Sequence, residues 1–318
     1  MRFTDHPALQ AAAEVASPDG RLRLRPVGDR LEEQQVWVDL DLASMVEGFH
    51  GQRLNPPLSE DDRSRAIADL PPGWEVPPLD PAESFGARYW IVEHQTICGT
   101  VLLTHPFPRD ATIGVFALYV MPEARGRGLA ADTLDLAERA ASGAGLMGVQ
   151  LDALWTWGRA LRFYLDRGFW VRRWRHAMHL VRGPVLPRRL VRWEGDRATL
   201  SCPVRGEERV LIEAERRGER LGWTLHPNAI QAASPFLSPL QIEASFALLL
   251  ATRGWPLLTT EGAWERPRPP TELGGPDALG LHIERLHALA ALDGVRIEAP
   301  RIPGLPYRDA AALGITAS

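Results

Sequence analysis

The residues most able to do chemistry in this chain are Arg125-Gly126-Arg127-Gly128-Leu129-Ala130, a short turn between two strongly patterned stretches. Its glycines lack Cβ atoms, so a ligand can approach the backbone closely. Where a helix starts directly after such a turn, its first N–H groups lack intrahelical acceptors and point outward as an anion site. A pyrophosphate fits that description. The flanking elements are the ones such a site needs. Before the turn, Ile113–Val120 is an aliphatic and aromatic run that reads as a buried strand, which Pro122 must end. After it, Ala130, Leu134, Ala137 and Ala141 recur at helical spacing, with Asp132, Asp135, Glu138 and Arg139 among the polar positions.

Two classes of site use this kind of turn. Gly126, Gly128 and Ala131 match the loose G-x-G-x-x-A dinucleotide pattern, and Asp152 ends the next apolar run, near the place of a ribose-binding acid. That reading makes the chain a nucleotide-dependent oxidoreductase. It calls for βαβ repeats ahead of the turn, whereas the preceding runs are strand-like with no long helix between them. The second class is a better match. Arg125, Gly128 and Ala130 occupy the three places of Arg/Gln-x-x-Gly-x-Gly/Ala, and Ala160-Leu161-Arg162-Phe163-Tyr164-Leu165-Asp166-Arg167-Gly168-Phe169 follows as a tyrosine-bearing helix ending in Gly-Phe. In this order and at this separation, the two stretches resemble the signatures of the GNAT-type acyl-CoA-dependent N-acetyltransferases, over about residues 22–181. One place departs from the pattern. The position three before Ala160, often asparagine in the family, is Trp157, which bears on contacts along the pantetheine arm.

The resemblance implies an acetyl-CoA co-substrate. Its pyrophosphate would lie on the backbone of Arg125, Gly126, Arg127, Gly128, Leu129 and Ala130, with the two arginine side chains as added charge. Backbone groups of Leu118, Tyr119 and Val120 would meet the pantetheine arm like an added strand, and an N–H at that strand end would face the oxyanion. Tyr164 would be the general acid toward the departing thiolate, since a phenol with a pKa of about 10 is protonated at neutral pH. The base is harder to place. Relatives often use a carboxylate in or beside the fourth strand, and Thr112–Val120 has none. Glu93 and His94 on the second strand are the nearest substitutes, with His105 and Asp110 behind them. Trp155, Trp157, Trp170 and Trp174 near the second signature read as packing, and alternatively as an acceptor-pocket wall. No metal is assigned.

Stepping outward, Leu22–Val27 alternates as a first strand, and Asp29 is placed to cap a helix whose apolar face is Leu31, Val36, Trp37, Leu40 and Met45. A short helix is expected at Glu60–Leu70 within a proline-rich and acidic stretch that reads as a surface loop or as a wall of the acceptor site. Arg88–His94, Thr100–Thr104 and Thr112–Val120 read as antiparallel strands, Met147–Asp152 as the next strand, Arg159–Arg167 as a helix and Phe169–Val181 as one long strand. The fold expected is α/β (α+β), a mixed and mostly antiparallel sheet flanked by helices. Residues 1–183 form this domain, 184–188 a Pro/Gly linker, and 189–318 a smaller α+β domain, with strands near 190–193, 198–202, 210–213 and 221–225. Helix-then-strand units follow at 239–259 and 279–298.

The formal net charge of −4 over 318 residues gives no footprint for a nucleic acid. All 36 basic residues are arginine, which reads as a compositional bias. Two distant cysteines, Cys98 and Cys202, do not make a disulfide scaffold. With no signal-peptide layout and no bilayer-length apolar run, the expected setting is cytoplasmic, with no membrane partner. The expected acceptor is a small-molecule or peptide amine, and the reading leaves room for a homodimer. A CoA-binding protein without catalysis is the alternative that the missing strand carboxylate and Trp157 motivate.

Overall fold

The computed structural model describes residues 16–265, apart from short segments at 72–73, 81–83, 105–110, 155–156, 175–177, 218–219, 234–235, 256 and 259–263. His105, Asp110, Trp155 and the expected unit at 279–298 lie outside the described residues, as does most of the expected N-terminal arm. The chain divides into two compact units, Met1–Leu151 and Asp152–Ser318.

In the first unit the elements run β1 (Leu22–Pro26), α1 (Leu31–His50), α2 (Glu60–Ala68), β2 (Gly86–Glu93), β3 (Thr96–Thr104), β4 (Thr112–Val120), α3 (Leu129–Gly143) and β5, which starts at Gly148 and ends at Ala153. The strands lie in the order β1-β2-β3-β4-β5. The first three pairings are antiparallel, and β4 with β5 is parallel. Helices pack on this sheet through α1 against β3 and β4, and α3 against β4 and β1. One apolar cluster joins Trp37, Val38 and Leu40 of α1 to Trp90, Val92, Leu102 and Tyr119 of the sheet. The indole nitrogen of Trp37 donates to Tyr89 O at 3.1 Å, so this large ring is buried with its polar atom satisfied. Asp29 stands one place early for capping. Arg30 holds the N-cap position of α1 with no side-chain bond, and Glu32 and Glu33 in the first turn complement the dipole instead.

The proline-rich stretch is fastened to α1 rather than left as a loose loop. Asp39, fully buried, accepts from Arg63 Nε at 2.8 Å and from Leu58 N at 2.9 Å, docking α2. Arg88 donates to Gln34 Oε1 at 2.5 Å and to Leu79 O at 3.3 Å, and it also holds Pro78 O.

Two irregularities matter for the site. The β3/β4 register shifts between Thr100 and Leu102, and Ala117 opposite the shift has φ 48°. This is a β-bulge, and Thr100 Oγ1 caps it by donating to Ala117 O at 3.1 Å. The β4/β5 ladder covers only Thr112–Gly114 against Gly148–Gln150. Residues after Gly114 therefore continue as strand without that neighbour.

The second unit contains α4 (Gly158–Asp166), β6 (Trp170–Trp174), β7 (Met178–Arg182), β8 (Leu190–Glu194), β9 (Arg197–Val204), β10 (Glu207–Arg217), β11 (Arg220–Leu225), α5 (Pro227–Ala233), α6 (Pro239–Ala251) and two short strands, β12 (Leu257–Leu258) and β13 (Trp264–Glu265). The expected long strand over 169–181 is instead an antiparallel hairpin of β6 and β7. No glycine or proline marks its turn, so alternation alone could not divide it. β8 to β11 form a four-stranded antiparallel meander, and α6 begins with a capping box of Ser238 and Gln241. Gln241 Nε2 donates to Arg172 O at 2.8 Å, and Ser245 Oγ accepts from Val171 N at 2.8 Å, docking α6 on β6. The expected linker is tied down, because Trp170 Nε1 donates to Pro187 O at 3.0 Å. No helix among the described residues is long and apolar enough to cross a membrane.

One buried carboxyl sets a pH dependence. Asp41 on α1 is 2% exposed, its Oδ2 lacks a hydrogen-bond partner, and burial pushes its pKa up to about 7 against the attraction of Arg88. A folded pKa above the unfolded value means its stability contribution is complete below the usual aspartate range and is lost as pH rises toward 7. Asp41→Asn is therefore expected to stabilise the protein by about 1–3 kcal/mol at pH 8 and by little at pH 4. Urea unfolding of both proteins at the two pH values checks this. An effect of equal size at both would be wrong.

Candidate functional site

The turn between β4 and α3 begins with a single turn of 3-10 helix at Pro122–Ala124. Gly126 and Gly128 then take φ of +80° and +83°, the left-handed region where a side chain would be strained. A Cβ built on Gly126 meets nothing within 4 Å, and one on Gly128 meets only Asp132 Oδ2 at 4.0 Å, so the outer face of the turn is open. Among the described residues, the amides of Gly126, Arg127, Gly128, Leu129 and Ala130 have no hydrogen-bond acceptor, and the ladder resumes at Ala131 N, which donates to Gly128 O at 2.9 Å. Five successive free amides around two left-handed glycines at a helix N-terminus make a concave anion nest.

The two arginines of the turn are engaged inside the protein. Arg125 forms a bidentate pair with Glu47 of α1, at 2.5 and 2.6 Å, and its Nε donates to Val120 O at 2.9 Å. Its guanidinium lies over the Tyr119 ring at 5.3 Å, and the Tyr119 hydroxyl donates to Glu47 Oε2 at 3.3 Å. The Arg125 hydrogen bonds hold the Glu47 carboxyl below the usual range against the cost of burial. Burial, with Glu47 beside it, raises the Tyr119 phenol. Arg127 pairs with Glu93 at 2.8 Å. Arg21 reaches the same Glu93 at 3.3 Å, donates to Arg127 O at 3.2 Å and pairs with Asp132 in the first turn of α3. Charge toward an anion therefore comes from the amides and the helix dipole, and the arginine side chains act as struts.

The two base candidates at the end of β2 are placed differently. Glu93 is 7% exposed and is committed to two guanidinium groups. His94 lies on the exposed two-residue turn to β3, with φ 45°, beside Gln95 at φ 77°. Of the strand residues, Leu118 and Val120 are half-buried, Val120 O is taken by Arg125, and Tyr119 is buried against α1. Leu129 is buried at the start of α3, and Ala130 is partly exposed.

Tyr164 belongs to the second unit, on α4. It is half-buried, in edge contact with Phe163 at 5.3 Å and Phe169 at 5.6 Å, and desolvation pushes its pKa up to about 12. Such a phenol stays protonated at neutral pH. The same unit contains a pair that sequence did not single out for catalysis, in which His179 Nδ1 of β7 meets Asp152 Oδ1 at 2.7 Å. Asp152 is thereby a histidine partner rather than a free ribose ligand. Trp170 is buried, and Trp157 is partly exposed. Among the described residues there is no group of three or more His, Cys, Asp or Glu side chains placed to hold a metal ion.

Residues 85–171, which include both the nest and Tyr164, match the family model described as acetyltransferase (GNAT) domain. The chain therefore carries a GNAT acetyltransferase domain, whose class is that of the acetyl-CoA-dependent N-acetyltransferases. Solved structures similar to the chain include the PaiA N-acetyltransferase of Thermoplasma acidophilum in complex with coenzyme A, at 14% identity, covering 51% of this chain and 98% of that one with a TM-score of 0.38. The spermidine N-acetyltransferase of Vibrio cholerae, solved with CoA and spermine, aligns at 14% identity over 51% of this chain and 93% of its own, with a TM-score of 0.34. A GNAT-family acetyltransferase of Staphylococcus aureus Mu50 aligns at 17% identity over 48% and 87%, with a TM-score of 0.32. No curated protein sequence matches the chain.

The clamp on the turn gives a direct test. Truncating Glu47 to alanine leaves Arg125 half-buried and unpaired, and either single truncation is expected to cost about 1–3 kcal/mol. A double-mutant cycle of Glu47→Ala and Arg125→Ala, measured by urea unfolding, should return a coupling of at least about 1 kcal/mol. Additive losses would mean that the pair does not hold the turn.

Proposed function

We propose that this protein is an N-acetyltransferase that moves an acetyl group from acetyl-CoA to the primary amine of a small molecule or peptide by direct attack on the thioester. The observation that carries the reading is the nest of five unpaired amides from Gly126 to Ala130 at the start of α3. Open to solvent, those donors are free to turn from water to an anion, and their convergence on one side of the turn favours one. The diphosphate of a CoA thioester supplies one. The bulge at Ala117 and the short β4/β5 ladder leave strand backbone after Gly114 for an extended ligand arm, supporting the roles assigned to Leu118, Tyr119 and Val120. Val120 contributes through its N–H, since its carbonyl is already engaged.

Tyr164 is the general acid in this reading. A phenol is protonated at neutral pH and can donate to the departing thiolate, while burial makes this one hold its proton more tightly. The acceptor is an amine rather than a nucleic acid, consistent with a formal net charge of −4. Neighbouring folds include enzymes named for spermidine, and at 14% identity that name does not carry over to the acceptor here. The setting in this reading is cytoplasmic, residues 1–183 form the catalytic domain, and 189–318 an added α+β module.

The test is the change in melting temperature with acetyl-CoA, CoA, NAD and NADP in separate samples. A ligand at one hundred times its Kd stabilises by about 2.7 kcal/mol, which is readily seen. CoA species are expected to shift the protein, and Gly128→Glu, which puts a charged side chain into the nest, to abolish the shift. A shift with a dinucleotide alone would replace the reading by an oxidoreductase. CoA binding without turnover over a broad amine panel would favour a non-catalytic CoA-binding protein. In an active enzyme, Tyr164→Phe should lower kcat by about 10²-fold while leaving the CoA-induced shift intact.

A further inference from the structure

We propose that the crevice between the first half of α1 and the sheet of the first unit binds a small amphipathic monocarboxylate, an acid with one apolar body. Every residue of this site belongs to the first unit, and the proposal does not rest on the transferase reading.

A cavity of about 440 Å³ opens there. Small-molecule sites run from about 300 to 1,000 Å³, with mostly apolar walls and a few placed polar groups. Here the apolar walls come from α1 and three strands. Val36 and Leu40 of α1 meet Trp90 of β2, Ile97 of β3 and Met121 directly after β4. Leu40 and Trp90 are buried, whereas Val36, Ile97 and Met121 are only partly covered although they pack on the same apolar cluster. Apolar surface left open in a concave place is stabilised when a ligand's own apolar surface covers it.

Two charged side chains also line the cavity, and they are not equivalent. Glu33 lies three residues before Val36 on α1, and Arg25 on β1 is the register partner of Trp90. Glu33 Oε1 accepts from Trp90 Nε1 at 2.7 Å and from Arg25 at 3.2 Å. Its Oε2 lies against Gly28, where an added Cβ would come within 2.6 Å of it. The carboxylate is thus spent on holding the indole and the guanidinium, and an ammonium would find little of it free.

Arg25 is different. It gives one nitrogen to Glu33, and among the described residues no acceptor meets its other N–H groups. A guanidinium carries five N–H donors in a planar fork that suits a carboxylate. The Arg25 side chain is 44% exposed, so this fork is open to a ligand. With Glu33 beside it, the pair has no net charge, which suits a monoanion and disfavours a dianion such as a phosphate monoester. The Trp90 ring, its N–H satisfied, offers only apolar surface to the body of the acid. Met121 is also the N-cap of the 3-10 turn that leads to the amide nest, so the ligand would touch the residue from which that turn departs.

The experiment is calorimetric titration of the full-length protein with butanoate, hexanoate and octanoate, and with octylamine and octanol as matched heads. Binding of the acids should saturate, with affinity rising about 4-fold per added methylene. Octylamine and octanol should bind at least about 10-fold more weakly than octanoate, since neither offers the fork an anion. Arg25→Gln should lower octanoate affinity by about 10-fold or more and leave octanol unchanged. Ile97→Phe fills the cavity and should abolish octanoate binding. Arg25→Gln changes an exposed side chain, so it decides the matter if Ile97→Phe does not fold. Octylamine binding as tightly as octanoate overturns the assigned head group, and a flat chain-length series overturns the apolar body. Octanoate binding that neither variant changes is adsorption elsewhere and overturns the site, as does the lack of saturable binding by any acid.

Discussion

Glu47 is the point on which the functional half of the first unit depends. Its two carboxylate oxygens take both terminal nitrogens of Arg125 and the hydroxyl of Tyr119. Arg125 in turn fixes Val120 O and opens the glycine turn. One side chain near the end of α1 therefore sets the end of β4 and the entry to α3. A turn with two left-handed glycines has a large conformational entropy to lose, and an unclamped one would seldom present its amides in one direction. The arginines that frame the turn do this holding, so positive potential at its mouth is left to the backbone.

A second restraint works from the other side. Arg21 ahead of β1, Arg127 in the turn, Glu93 at the end of β2 and Asp132 in the first turn of α3 form one network. Glu93 is nearly buried, and its charge is tolerated because two guanidinium groups meet it. The bulge at Ala117 completes the arrangement by bending β4 where its ladder with β5 has ended. Clamp, network and bulge together hold a strand–turn–helix whose turn amides face outward beside a strand edge that β5 does not cover.

In the second unit, polar atoms are placed with similar economy. Ser245 and Gln241 of α6 satisfy backbone groups of β6, and Trp170 holds the segment at Pro187. The indole ring of Trp170 also carries Arg189 above it at 5.2 Å, a cation whose pKa burial pushes down to about 10.

The sequence by itself determined the strand–turn–helix around Arg125–Ala130, most strand positions, the short helix after Ser59 and the start of α6. These are local matters. Alternation, helical spacing, glycine freedom and capping residues act within a few neighbours, and they leave a direct trace in residue order. Only the tertiary structure decided that Arg125 and Arg127 face carboxylates, that Glu93 is occupied, that 169–181 is a hairpin, and that Asp152 meets His179. Glu47 lies 78 residues from Arg125, and Asp152 lies 27 from His179. The bulge at Ala117 was hidden because alanine carries no mark of a positive φ. The type of a charged side chain is written in the chain, but whether its charge remains available depends on which partner folding brings within hydrogen-bond reach.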